Sequence, residues 1–225
     1  MNRQDSLYQF HIKRYDRKRE VIPTDYLRFE IILSLAGTRK KILDLGCGSG
    51  LLAKKLKSRK NDVVGLDISP QAIKRAKKRG LQAFVCNLEI ERWPVKKNCF
   101  DVVVASEVIE HILDTDKFLK NIRRVLKAKG SLILTTPNTA SLGRRLFLLL
   151  GKNPYLEASF HPQRAGHVRY FTKDSLFILL RKHGFKIKNF TSSAVVFSQS
   201  GKIFSTWLAK IWPTLGKHLI VEAIK

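Results

Sequence analysis

At 225 residues the chain is long enough to bury the core of one α/β domain and too short for two of ordinary size. Lysine and arginine number 43 against 18 acidic residues, a formal net charge of +25, so nucleic acid, an anionic membrane surface or an acidic substrate must be weighed against a plain solvated face. Ion-pair enrichment for heat stability would raise both signs together, and Cys47, Cys86 and Cys99, odd in number and without a Cys-x-x-Cys pair, argue against a disulfide framework or a thiolate metal site.

No apolar run follows the polar opening, and the longest apolar cluster, 146–150, is far too short to span a bilayer. A cytoplasmic protein without a signal peptide or transmembrane segment is the expectation. Residues 5–35 mix charges with aromatic side chains and turn helical at 25–35, after Pro23-Thr24-Asp25 and before Gly37, so 1–36 reads as an accessory or lid region.

Residues 41–51, Lys-Ile-Leu-Asp-Leu-Gly-Cys-Gly-Ser-Gly-Leu, organise the rest. An apolar strand ends in Gly46, Gly48 and Gly50 at alternate positions, and a helix follows at once. Glycines there permit φ > 0 and let a ligand lie against main-chain N–H groups at the mouth of a helix. The next apolar strand, 62–67, closes on Asp67, where a carboxylate can accept both hydroxyls of an adenosine ribose. A dinucleotide fingerprint wants a further glycine or alanine where this chain has Leu51. Asp44, just before the glycines, suits a ligand with a sulfonium and an ammonium group better than a pyrophosphate, which favours S-adenosylmethionine over a dinucleotide.

Further on, Pro70 and Gly80 bound a helix, 82–86 reads as a strand, and 100–105 is a near-continuous apolar strand of the kind buried on both faces. A helix at 116–126 and a strand at 131–135 lead into Pro137-Asn138. Strands separated by helices imply a parallel sheet with right-handed crossovers. Then come a helix at 142–150, an irregular loop at 151–167, a helix capped by Thr172 and stopped at Gly184, and strands at 185–190 and 218–224. Ile203, Phe204, Trp207, Leu208, Ile211 and Trp212 recur at helical spacing, which ordinary core burial explains as well as an apolar ligand wall does. The basic runs sit at 13–19, 54–60 and 74–79, the last two on outer helices remote from the strand ends. Glu107-x-x-Glu110-His111 follows the fourth strand at the carboxyl-end rim where such sheets bind ligands, and in a helix the three would share a face.

Asp44-x-Gly-x-Gly-x-Gly is followed in order by Trp93-Pro94, Phe100-Asp101-Val102-Val103, Ser106-Glu107-Val108-Ile109-Glu110-His111, Val125 to Gly130, Thr136-Pro137-Asn138 and Gly166 to Thr172. Over roughly residues 41–185 this resembles the class I S-adenosylmethionine-dependent methyltransferases, in particular the branch with the ubiquinone-biosynthesis O-methyltransferases and related small-molecule enzymes. The resemblance implies a Rossmann-like, doubly wound seven-stranded sheet, parallel except for an antiparallel last strand, with helices on both faces. It implies a methyltransferase domain over 37–225 with an inserted substrate-side segment near 139–170.

The same resemblance places the methionine part of the cofactor over Gly46, Cys47 and Gly48, within the turn that Asp44 and Gly50 bound, with the Ala105 carbonyl and Ser106 near its ammonium. Asp67 takes the ribose hydroxyls, Ile68 packs on adenine, and Asn87 and Leu88 stand where many relatives carry an acid for the adenine amine. Arg28 is either a contact for the cofactor carboxylate or a surface arginine. Within the family, a Glu-x-x-Glu-His spacing with a later histidine forms a divalent metal site, and His167 stands where that histidine would. Glu107, Glu110, His111 and His167 then hold Mg²⁺ or another divalent metal that lowers the pKa of an acceptor hydroxyl; otherwise His111 or His167 is a metal-free base. The expected activity is O-methylation of a small-molecule or lipid-linked acceptor. RNA methylation at a 2′-hydroxyl is the alternative, and a non-catalytic, membrane-associated cofactor-binding protein is the alternative of another class.

Overall fold

A computed structural model describes residues 23–89, 92–154, 167–197 and 203–225. The first basic run, the 1–22 part of the accessory region and 155–166 of the irregular loop lie outside them. The parallel half of the sheet comes from β1 (Lys41–Leu45), β2 (Asp62–Asp67), β3 (Gln82–Val85), β4 (Phe100–Ser106) and β5 (Leu126–Pro137). β6 (Lys186–Thr191) and β9 (His218–Ile224) complete it, in the order β3-β2-β1-β4-β5-β9-β6. All pairs are parallel except β5–β9 and β6–β9, so the last strand alone runs against the rest, as the resemblance implied. β1, β2 and β4 are buried almost end to end, which is why they read as continuous apolar runs.

Three helices cover one face: α1 (Pro23–Ala36), α2 (Leu51–Ser58) and α3 (Pro70–Lys78). Ile32, Leu56, Ile73 and Ala76 pack there against Ile42, Val63, Val104 and Ile133. On the other face α4 (Thr115–Val125) and α6 (Lys173–Lys182) bring Phe118, Ile122, Leu176 and Leu180 onto Leu43, Val103, Leu134 and Val221. Trp93 completes that side, edge-on to Phe118 at 5.8 Å and donating its indole N–H to the Leu88 carbonyl at 3.2 Å.

Local capping sets the helix starts. Ser69 accepts from the Ala72 N–H and Asp114 from the Lys117 N–H, while Thr172 and Ser175 cap α6 reciprocally. β5 begins five residues before the expected 131 because Leu126 pairs with Phe100, and an irregularity before the Val102–Ser131 pair absorbs residues 127–130. The apolar stripe at 203–212 is not a core helix. It divides into β8 (Phe204–Ser205), paired with β7 (Val195–Val196) in a short hairpin, and a six-residue helix α7 (Thr206–Ile211) that Pro213 cuts off. Only Ala209 of α7 is buried, and α5 (Leu142–Leu149) buries no residue at all.

Candidate active site

The carboxyl ends of β1 and β4 lie side by side, with Leu45 paired to Ala105. Beyond β1 the chain turns through Gly46, Gly48 and Gly50, all at positive φ (65°, 52° and 79°), and Gly50 caps α2 in the left-handed conformation. A side chain at Gly46 would meet the Val108 methyl at 2.6 Å, so this glycine lets the loop after β4 close on the turn. Cys47 folds under the turn: a Cβ on Gly65 of β2 would stand 2.6 Å from its sulfur. Burial, reinforced by the Asp44 and Asp67 carboxylates, pushes the Cys47 thiol far up and leaves it an inert packing group.

Asp67 braces the turn. Its Oδ2 accepts from the Gly48 N–H at 2.8 Å and its Oδ1 from the Ser69 N–H at 2.9 Å. Asp44 is buried, with Oδ2 lacking any hydrogen-bond partner among the described residues. Burial, then the nearby Asp67 carboxylate, pushes its carboxyl up to about 8. A cationic group entering this turn would meet an acceptor that the protein leaves unsatisfied, so the residues present fit a sulfonium-and-ammonium ligand. Asn87 and Leu88 are buried at the end of β3, and the Asn87 amide oxygen already accepts from the Glu89 N–H at 3.0 Å. Ile68 is half-buried beside Asp67, and Ser106 donates to the Thr135 hydroxyl at 3.1 Å.

After β4 the residues do not continue as an α-helix. Glu107 adopts a left-handed φ of 58° and Ile109–His111 form a 3₁₀ turn, so the expected shared face of Glu107, Glu110 and His111 is not formed. Glu107 turns inward, accepting from Thr135 at 2.9 Å and lying 3.7 Å from the Arg28 guanidinium. It therefore stands outside the cluster that the structure does assemble: Glu110, His111 and His167 each offer a ligand atom, all within 4.8 Å of one another. The Val168 and Arg169 N–H groups donate to the Glu110 carbonyl at 2.9 and 3.1 Å, which returns His167 to within 4.9 Å of His111, ring to ring. Glu110 Oε2 accepts from Thr136 at 3.0 Å while the buried Oε1 has no hydrogen-bond partner among the described residues. Burial, with the Glu107 charge adding to it, holds the Glu110 carboxyl well above the usual range.

Arg28 is not a surface residue. It is buried, 2.9 Å from Asp25, and its guanidinium lies 3.3 Å from His218 Nε2. A guanidinium only donates, so His218 accepts through Nε2 and its Nδ1–H donates to Ser193 at 2.7 Å. Sequence reasoning gave no role to Gly65, Val108, Thr135, Thr136, Ser193 or His218, although Val108 and Thr136 lie within the blocks that carry the resemblance. A lone glycine inside the apolar strand 62–67 was the one available signal, for Gly65; the others look like ordinary strand or loop residues.

A family model for the methyltransferase domain matches residues 15–189. The mitochondrial ubiquinone biosynthesis O-methyltransferase of Mus musculus is 39% identical over 121 residues, half of this chain and 32% of that protein. The ubiquinone biosynthesis O-methyltransferase of Acinetobacter baylyi is 28% identical over 70% of this chain and 67% of its own length. The chain thus spans about a third of the mammalian relative. Among solved structures, an S-adenosylmethionine-dependent methyltransferase of Thermotoga maritima, described as a possible histamine N-methyltransferase, superposes with a TM-score of 0.65 at 22% identity, covering 89% of both chains, and shares the fold. The seven-stranded topology, the glycine turn with its two acidic residues and the family match agree: this chain belongs to the methyltransferase-domain family.

Proposed function

We propose that the protein transfers the cofactor's methyl group to an oxygen of a small or lipid-linked acceptor held at the carboxyl-end rim of β4. The observation that carries this reading is the Glu110–His111–His167 cluster, which lies one turn of chain from Val108 and its contact with Gly46. A sulfonium methyl is already activated, so fixed in-line positioning can supply about 7–11 kcal/mol, and a hydroxyl acceptor needs in addition a group that takes its proton. Asp44 and Asp67, on either side of the glycine turn, hold S-adenosylmethionine at its cationic and ribose ends. His111 and His167 sit where they can receive the acceptor's proton.

The same three side chains suit a divalent cation, with one carboxylate and two imidazoles and with the buried Glu110 Oε1 lacking a hydrogen-bond partner among the described residues. A bound Mg²⁺ or Mn²⁺ would supply Lewis-acid activation of the acceptor hydroxyl. Relatives named ubiquinone biosynthesis O-methyltransferases support an oxygen acceptor.

Turnover of a panel of catechol-type acceptors with S-adenosylmethionine tests the reading. Removing Glu110, His111 or His167 should lower turnover while leaving cofactor affinity nearly intact. Chelation reproducing all three losses supports the metal. Chelator-insensitive turnover, with a loss of about 10²–10⁴ on removal of a single histidine, assigns a metal-free base. Transfer to nitrogen acceptors with no oxygen acceptor used would overturn the reading. RNA stands as a second reading on one observation: residues 51–60 and 70–80 carry ten lysines and arginines and no acid. Methyl transfer to RNA, with affinity falling steeply as salt rises, would replace the small acceptor.

A further inference from the structure

Seventeen large apolar side chains are exposed among the described residues, and nine of them fall in just three stretches: α5 with Leu150, the end of β7, and β8 with α7. The three stretches adjoin one another. The β7–β8 hairpin pairs Val195 with Ser205, Phe197 donates to the Ile203 carbonyl at 2.9 Å, and α7 follows β8 directly. On its other side, Gly143 of α5 lies close to the Val196 carbonyl, 3.4 Å from where a Cβ would stand. Leu149 and Leu150 are 82% and 70% exposed and Trp207 and Trp212 are 65% and 53% exposed. An eight-residue, leucine-rich helix that buries nothing is not held by the core, and two exposed tryptophans beside it are out of place on a surface that meets only water.

The polar residues of this face have one sign. Arg144 and Arg145 lie on α5, Lys152 just after it and Lys210 on α7, and no acidic residue occurs in 138–154 or 203–217. Apolar side chains, tryptophan and an unopposed cationic rim are what an interface with an acidic bilayer requires: the apolar groups enter the acyl boundary, indoles favour the headgroup level, and lysine and arginine meet the lipid phosphates. A second copy of this chain would bring the same cations against themselves. No described helix is long and apolar enough to cross a membrane, which leaves contact with the surface. The face is also attached to the site: α5 springs from the end of β5, where Arg144 donates to the Asn138 carbonyl at 3.0 Å and Thr139 to that of Phe171 at 2.9 Å, four residues beyond His167.

We propose that α5, the β7–β8 hairpin and α7 form a docking face for an anionic lipid bilayer, which sets the mouth of the methyl-transfer site at the membrane surface. The assignment rests on the face itself and holds whichever acceptor is methylated. The whole protein should sediment with phosphatidylcholine vesicles containing about a third phosphatidylglycerol and not with phosphatidylcholine alone, and binding should drop at least about tenfold between ~0.1 M and ~0.5 M salt. Brominated lipid should quench Trp207 and Trp212 and spare the buried Trp93. Leu149→Ser with Trp207→Ser should reduce vesicle binding about tenfold or more, with S-adenosylmethionine affinity and melting temperature unchanged. If that pair fails to fold, Lys152→Gln with Lys210→Gln should still abolish the preference for anionic lipid. Absence of sedimentation with either vesicle, binding indifferent to these substitutions, or a dimer that shields both tryptophans without lipid would each overturn the proposal.

Discussion

Burial, then the nearby Asp67 carboxylate, set Asp44 apart from an ordinary acid. Its ordinary value lies close to 4 in an unfolded chain and is pushed up to about 8 here. Since the folded value is the higher, its contribution to the ligand-free fold is most favourable below about pH 4 and is progressively lost as pH rises toward 8. Asp44→Asn should therefore raise the ligand-free melting temperature at pH 7, by about 2–6 °C, and weaken S-adenosylmethionine binding by about 1.5–3 kcal/mol. Differential scanning fluorimetry and calorimetry check the two signs, and wild-type affinity should climb from pH 6 to pH 8 as the carboxyl ionises. Arg28 makes the complementary case. Arg28→Met strands Asp25 and Glu107 in the interior and should cost about 3–5 kcal/mol in urea denaturation, whereas Asp67→Ala, beside the glycine turn, should act mainly on S-adenosylmethionine affinity. The acidic pair around the glycine turn was legible in the sequence because strand ends and spacing fix where both carboxylates fall. The direction of Glu107 was not, because a single left-handed φ decides whether it joins Glu110 or turns to Arg28.

Among the elements, those with caps and a clear period were legible: α3 between Ser69 and Gly80, α6 between Thr172 and Gly184, and the buried strands β1, β2 and β4. The hairpin and α7 were not, since a two-residue strand and a six-residue helix are shorter than any period that could announce them. β2 holds a less visible device in Gly65, over which Cys47 lies. Gly65→Ala should destabilise by about 1–3 kcal/mol and loosen the cofactor turn, and Cys47→Ala in the same chain should recover part of the loss. Additive losses in a double-mutant cycle would show that the two do not touch in solution.

At the scale of the whole molecule, 43 cations face only 18 anions, so most cations have no acid to meet; among the described residues Arg28, Lys55, Lys127, Lys182 and Lys188 lie against acids. Self-repulsion should make the protein more stable as salt rises, so the melting temperature should increase by a few degrees from ~0.05 M to ~0.3 M sodium chloride, the reverse of what surface pairing alone would give. The sequence showed the imbalance at once. Where the charge is used depends on which cations share a face with exposed apolar groups, which only the packing of α5 against the hairpin reveals.

The antiparallel β9 has a bearing on how the chain reaches this state. β3, β2, β1, β4 and β5 are all made before residue 138, but the far edge of β5 has no partner until 218–224 exist, and β6 pairs only with β9. Arg28, near the start of α1, meets His218 across 190 residues of chain. A growing polypeptide must therefore carry an open sheet edge, and an Arg28 paired with Asp25 but still lacking its His218 acceptor, through most of its synthesis, and then complete both in one late step. Insertion of β9 is the step on which folding rate should depend, and the stage at which a chaperone or a neighbouring nascent chain would find an edge to hold.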